Sequence, residues 1–333
     1  MKILVTGGSG FIGSNFVRHV LATHPDHAVV NLDKLTYAGN PENLRDVESD
    51  RRYRFVHGDI CDAAAVRDAM AGADAVVHFA AESHVDKSNL GADEFLRTNV
   101  NGTFTLLDTA RELKVGRFVQ VSTDEVYGSI ARGAAREGDL LNPSNAYAAS
   151  KAAGDLLARS YWTTHGLPVI ITRSSNNFGP YQYPEKVTPL FITNAIEDRP
   201  LPLYGDGTNV RDWLYVLDNC EAIDLVLHRG RDGEIYNIGG GTEVENAELT
   251  RRILRLLGKP ESLIQPVRDR PGHDRRYALD SSRIHDLGWT PRHSFDAALE
   301  ATVAWYRTHE AWWRPLLKSG QFKAYYARQY SNR

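Results

Sequence analysis

The chain has 333 residues, 42% of them hydrophobic and 24% charged, the balance of an ordinary globular protein with enough apolar material for one large domain or two. A formal net charge of -3 supplies no chain-wide positive field, which argues against nucleic acid or an anionic membrane surface as a partner. The two cysteines, Cys61 and Cys220, lie outside any Cys-x-x-Cys or Cys/His spacing, so neither a disulfide framework nor a metal site is expected.

The N-terminus runs straight into Lys2-Ile3-Leu4-Val5, with no apolar run long enough for a signal peptide or a membrane span, and the expected location is the cytoplasm. Short β-branched runs recur at 3–5, 29–32, 55–57, 75–79, 118–121 and 169–172, each separated by room for a helix. Runs that are apolar throughout, rather than alternating, predict a parallel sheet covered on both faces: a doubly wound α/β fold of Rossmann type. After about residue 175 the pattern is broken by Gly179-Pro180, Pro184, Pro189, Pro200, Pro202, Gly205 and Gly207, with a helix-like stretch at 247–257. We therefore expect a dinucleotide-binding domain over 1–175 and a smaller substrate domain over 176–333, some of whose segments return to the first. The tail carries Trp305, Trp312, Trp313, Tyr325, Tyr326 and Tyr330, read as the packing face of a terminal helix.

Gly7-Gly8-Ser9-Gly10-Phe11-Ile12-Gly13 follows the first strand and opens a helix over 14–22. Glycines there permit a tight turn and let backbone N–H groups approach a pyrophosphate at the positive end of the helix. Asp33, at the end of the second strand, can accept hydrogen bonds from ribose hydroxyls and would repel a 2′-phosphate, so NAD is favoured over NADP. Asp59, at the end of the third strand, reads either as a cofactor contact or as a helix N-cap.

Tyr147-Ala148-Ala149-Ser150-Lys151 places a phenol and an ammonium on one helical face, where the cation favours the phenolate. Ser122-Thr123-Asp124-Glu125 follows the fifth strand, at the carboxyl edge where open α/β sheets hold their active sites. Two adjacent carboxylates can serve as general acid and general base if their environments separate them. Ser122-x-x-Glu125 is equally a capping box, which leaves Glu125 a structural reading.

Thr123-Asp124-Glu125-Val126-Tyr127-Gly128, the Tyr147/Lys151 pair and Ser175-Asn176-Asn177-Phe178-Gly179-Pro180-Tyr181-Gln182-Tyr183-Pro184-Glu185-Lys186 together resemble the dTDP-glucose 4,6-dehydratases, nucleotide-sugar dehydratases of the extended short-chain dehydrogenase/reductase class. The resemblance continues through Pro202-Leu203-Tyr204-Gly205-Asp206-Gly207, Arg211-Asp212-Trp213 and Asp269-Arg270-Pro271-Gly272-His273-Asp274, and covers essentially the whole chain. It implies a tightly bound NAD, dTDP-glucose as substrate and a homodimer. In that comparison Tyr147 is the base for the sugar 4-hydroxyl, Lys151 holds the nicotinamide ribose and tunes Tyr147, and Thr123 bonds the same hydroxyl. Asp124 protonates the departing 6-hydroxyl and Glu125 removes the C5 proton. Ser83, Asn176 and Glu185 are expected at the substrate and Asn177 nearer the cofactor. Lys186, Arg211, Asn246, Asp269, Arg270 and His273 are expected around the diphosphate, with Pro202, Leu203 and Tyr204 near the base. The cofactor is expected to touch Gly7, Gly10, Phe11, Ile12, Gly13, Asp33, Lys34, Leu35, Thr36, Asp59, Ile60, Phe79, Ala80, Ala81, Ser83 and Thr98. Two departures stand out: Asn145-Ala146 precedes Tyr147 where the family usually has Ser-Pro, and Ser174-Ser175 replaces a common Cys-Ser. The rival reading is a nucleotide-sugar 4-epimerase, which shares the NAD motif and the Tyr/Lys pair but needs no acid and base for water loss.

Overall fold

The computed structural model describes residues 1–330. Among the described residues twelve strands follow in chain order: β1 Lys2–Thr6, β2 Ala28–Asp33, β3 Tyr53–His57, β4 Ala75–His78, β5 Arg117–Thr123, β6 Val169–Ser174, β7 Asn176–Phe178, β8 Leu201–Tyr204, β9 Val210–Tyr215, β10 Ile235–Ile238, β11 Glu243–Glu245 and β12 Ile264–Val267. Seven of them, in the order β3-β2-β1-β4-β5-β6-β10, form one sheet in which every pairing is parallel. The fold class is the expected doubly wound α/β, and the six strands read from the sequence are the first six of this sheet. The direction of winding reverses between β1 and β4, which opens a crevice at the carboxyl ends of the strands.

Both faces of the sheet are covered. Ile3, Val5, Val77 and Val119 pack under helix Phe11–Thr23 and helix Val216–Arg229, while Leu4, Val76, Phe118 and Ile171 face the helices that follow β3, β4 and β5. Residues 214–238, with Ile284 and Trp289, contribute to the first of these cores, so the chain beyond β6 returns to the sheet and adds β10 to its edge. A separate core gathers Phe178, Phe191, Trp213, Leu249, Phe295 and Tyr306 around β7, β8 and β9. Among the described residues no helix is long and apolar enough to cross a membrane.

Helices Phe11–Thr23 and Val216–Arg229 are joined at one end by Asp224, which pairs with His19 at 3.4 Å, His24 at 2.9 Å and His228 at 3.3 Å. Burial alone would raise this carboxyl, but the hydrogen bonds from the three histidines outweigh it and hold it well below the usual carboxylate range. His228 also meets His27 head to head, Nε2 to Nε2 at 3.0 Å, a geometry that shares one proton between two imidazoles. The hydrogen bond to Asp224 raises the His228 pKa. The resulting stabilisation is complete below the ordinary histidine value of about 6.5 and fades as the pH rises through the raised one. Asp224→Asn is expected to cost roughly 1–3 kcal/mol. By thermal melting, the gap to the parent should narrow as the pH rises from about 6 to about 8; a gap independent of pH counts against this account.

Candidate active site

Two clefts meet along the carboxyl edge of the sheet, sharing a wall that includes Phe11, Ser83, Ser122, Tyr147, Glu185 and Lys186. The first lies over the β1/β4 crevice. Gly10 is the N-cap of helix Phe11–Thr23 and offers no side-chain cap, so a phosphate there would meet unsatisfied N–H groups. Gly7 sits at φ +72°, and a Cβ there would come within 2.6 Å of the Ala80 nitrogen; one on Gly13 would come within 2.3 Å of the Gly7 oxygen. The loop is therefore packed so closely on itself that only glycine fits, which leaves its outer side open to a ligand backbone.

Asp33 accepts from Ser9 N at 2.9 Å and Leu35 N at 2.8 Å. These bonds lower its pKa only in part, since burial pushes the carboxyl up overall. Each carboxylate oxygen keeps a lone pair for a ribose hydroxyl. Lys34, Thr36, Asp59, Ile60, Phe79, Ala80, Ala81 and Thr98 line the same cleft, as do Ala38, Gly39 and Gly58, which sequence reasoning did not single out. Leu35 contributes its backbone to Asp33 but does not line the cleft. Asp59 is not a helix cap: Asp62 caps helix Ala63–Met70 by accepting from Ala64 N and Ala65 N. Burial would raise the Asp59 carboxyl, yet the Cys61 N–H, Arg97 at 2.7 Å and Lys34 at 3.0 Å hold it well below the carboxylate range. A phosphate-facing glycine loop, a ribose-facing carboxylate and an apolar floor fit a dinucleotide.

The second cleft opens from the end of β5. The chain leaves the strand in a short 3-10 turn, Asp124–Tyr127, whose N-cap is Thr123, with Glu125 N donating to its Oγ1 at 3.2 Å. Thr123, not Ser122, holds the cap, so the capping-box reading of Ser122 and Glu125 does not apply. Asp124 is 3% exposed, and its Oδ2 has no hydrogen-bond partner. Burial, then Glu125, then Asp212 push its pKa well above the usual carboxylate value. Glu125 is half-buried and lines the cleft, its Oε2 lying 3.5 Å from the Tyr277 hydroxyl.

Helix Ala146–His165 brings Tyr147 to the shared wall and Lys151 to the first cleft. Asn145 caps it by accepting from Ala148 N at 2.9 Å, so the departure from Ser-Pro at this point still supplies a capping oxygen. The Tyr147 phenol is pushed up by burial and by Glu125, against a smaller opposing effect of the Thr123 hydroxyl. Lys151 donates to the Val121 carbonyl at 2.7 Å rather than to Tyr147. Burial brings its own pKa down to about 8, with Asp155 opposing. Without the cofactor, burial of the phenolate and the neighbouring carboxylates leave the phenol raised, while Lys151 on the same helical face is engaged with the Val121 carbonyl.

Beyond the carboxylates the cleft becomes cationic. Arg211 is 4% exposed, and among the described residues no carboxylate lies within ion-pair distance of it; Nη2 donates to the Asp274 carbonyl at 2.9 Å. Lys186 donates to the Ser83 carbonyl at 2.7 Å, and burial lowers its pKa. Arg270 pairs with Asp86 at 3.3 Å and leaves Nε without a partner. Buried cations without matching carboxylates are costly unless an anionic ligand pairs with them. His273 also faces this region, its pKa brought down to about 4 by burial and then by Arg270 and Arg211. Asn246, Pro202, Leu203 and Tyr204 line the far part, and Asn176 the near part.

Asn177 lines this cleft rather than the first. Asp269 is exposed and holds the His273 ring, Nδ1 to Oδ1 at 2.6 Å, without lining either cleft. Glu185 faces both clefts and is paired with Lys87 at 2.7 Å. His84, Asp86 and Thr188, which sequence reasoning does not single out, line the second cleft, as does Tyr330, which it reads as packing. Asp86 lies in a four-residue helix too short to show a period, and Tyr330 lies in a tail whose aromatic residues look like packing alone.

A model of the GDP-mannose 4,6 dehydratase family matches residues 4–302. The dTDP-glucose 4,6-dehydratase of Streptomyces niveus is 55% identical over 321 residues, which are 95% of this chain and 96% of that protein. The solved structure of the dTDP-glucose 4,6-dehydratase of Streptomyces venezuelae with NAD bound superposes with a TM-score of 0.93 at 56% identity, covering 95% of this chain and 100% of that one. The NAD complex of UDP-glucose 4-epimerase from Thermus thermophilus superposes with a TM-score of 0.85 at 32% identity, covering 92% and 99% of the two chains.

Proposed function

The chain belongs to the GDP-mannose 4,6-dehydratase family, and we propose that within it the protein is an NAD-dependent dTDP-glucose 4,6-dehydratase, a hydro-lyase that converts dTDP-glucose to dTDP-4-keto-6-deoxyglucose and water. The observation that carries this reading is Asp124: a buried carboxyl with a raised pKa and a free oxygen, at the strand end beside Glu125 and on the same cleft as Tyr147. A 4-epimerase has no use for a stored proton there. Relatives about 55% identical along nearly their full length carry the same activity.

When bound, NAD supplies the acceptor for the C4 hydride and the donor that returns it at C6, and its cationic ring favours the Tyr147 phenolate. Tyr147 takes the proton of the 4-hydroxyl, with Thr123 orienting that oxygen. The resulting ketone acidifies the C5 hydrogen, which makes elimination accessible. Glu125 removes the C5 proton and Asp124 gives its proton to the C6 oxygen as the C6–O bond breaks and water leaves; the protonated Glu125 then returns a proton to C5 as the hydride is restored to C6. Lys186, Arg211 and Arg270 hold the diphosphate, and Tyr204 stands at the nucleobase.

The test is the product formed from dTDP-glucose. Loss of one water with a ketone at C4 and a methyl group at C6 supports the proposal, whereas a 4-epimer of unchanged mass favours the rival. We place the protein in the cytoplasm and assign it a sugar-binding lobe built mainly from 176–333 on an NAD-binding lobe over 1–175, with returning segments. We also propose a homodimer. Phe104 on helix Thr103–Glu112 and Leu156 on the adjacent helix Ala146–His165 are 49% and 60% exposed, an apolar pair suited to a partner's matching helices. Light scattering at micromolar concentration should give twice the chain mass; a monomer would count against it.

A further inference from the structure

The aromatic tail does more than pack. Helix Gly320–Tyr330 is anchored by Phe322, which is buried against Tyr326, and by the Tyr325 hydroxyl, 3.1 Å from His84 Nε2. Its last turn then reaches the second cleft. Gln329, 2% exposed, donates from Nε2 to the Tyr204 hydroxyl at 2.6 Å, and that hydroxyl donates to Asp86 Oδ2 at 2.9 Å. Pinned at its tip from two sides, the Tyr204 ring is held in one orientation. Tyr330 lines the same end of the cleft, its ring 6.1 Å from that of Tyr204 and 25° from parallel. Two nearly parallel aromatic planes thus border one end of a cleft whose middle is cationic and whose other end carries the acid and base.

We infer that the last turn of helix Gly320–Tyr330 forms a wall of the nucleobase subsite, with Tyr330 as a ring-contacting, specificity-determining residue for the pyrimidine of the nucleotide sugar. This rests on the proposed reading that Tyr204 marks the base end of the substrate. A pyrimidine offers a flat π-face to a tyrosine ring, and the diphosphate attached to it is drawn back toward Arg211 and Lys186. The contact is made alike in the bound substrate and in its transition state, so it acts on affinity and not on the chemical step.

The experiment uses the NAD-loaded enzyme, with dTDP binding measured by calorimetry and turnover of dTDP-glucose measured in parallel. Tyr330→Ala is expected to weaken dTDP binding and raise KM by about tenfold or more, as expected for loss of one base–aromatic stack, with kcat nearly unchanged. Inhibition by inorganic pyrophosphate, which has no base, should be unaffected. Tyr330→Leu keeps apolar packing on Tyr326, 4.8 Å away, but lacks the aromatic face, and should follow the alanine variant; Tyr330→Phe should follow the parent. If the alanine variant fails to fold, the leucine variant decides. Unchanged dTDP affinity in the leucine variant overturns the inference, as does an equal weakening of pyrophosphate, which would mean the helix merely shapes the whole cleft. Should the parent form no keto-deoxy sugar, the proposed function fails, while the dTDP calorimetry still decides the role of Tyr330.

Discussion

Tyr147→Phe is expected to lower turnover of dTDP-glucose by roughly 10⁴-fold, the upper end of what a positioned general base contributes, and to abolish the first appearance of reduced cofactor as well as the final product. The substitution removes one oxygen and keeps the ring, which packs edge to face against Phe95 at 6.4 Å, so the fold and NAD binding should survive. The phenol is buried and raised, so in the proposed mechanism it would need charge brought by the cofactor to become a base. Rapid-scan absorbance of the bound cofactor after mixing with substrate checks this. Reduction at the parent rate would show that another group accepts the 4-hydroxyl proton.

The second large effect separates oxidation from elimination. Glu125→Gln retains Tyr147 and Lys151 but lacks the base for C5, so substrate should still reduce the cofactor while product formation falls by roughly 10²-fold or more. Asp124→Asn should behave differently, with C5 exchange close to normal and slow loss of the 6-oxygen, because an amide is a far poorer proton donor than a carboxyl whose pKa burial and Glu125 raise. Equal losses of cofactor reduction and product in the Glu125 variant would mean that the two carboxylates only shape the site.

Much of this was legible in the sequence, and the reasons are local. β1, β2, β4, β5 and β6 are short, largely apolar runs buried on both faces, a signature that parallel burial leaves whatever surrounds it, while β3 is a partly exposed edge strand. The glycine loop declares itself because backbone contacts of 2.3 Å and 2.6 Å to a hypothetical Cβ admit no other residue. β10 does not stand out in the sequence: Ile235-Tyr236-Asn237-Ile238 carries a buried Asn in its apolar run, and the strand joins the sheet through long-range pairing with β6. The capping-box alternative at Ser122 falls one residue from the observed cap, since Ser122 and Thr123 are both good caps and the backbone alone chooses between them. The role of Asp124 as the acid comes from the resemblance alone; the rise in its pKa follows from burial, then Glu125, then Asp212, a residue 88 positions away, and the burial cannot be read from the chain. The same is true of Tyr330, whose place on the cleft depends on how the last helix docks and not on any motif.

The central claim is that Glu125 and Asp124 remove water after Tyr147 has oxidised C4. Its most direct test is a single turnover of the Glu125→Gln variant with dTDP-glucose in deuterium oxide, following cofactor absorbance and the mass of the sugar nucleotide together. The account predicts rapid cofactor reduction, a 4-keto sugar that keeps its 6-oxygen, and no deuterium at C5. Release of the 6-deoxy product at the parent rate, with deuterium incorporated at C5, would contradict it and place the base elsewhere in the cleft.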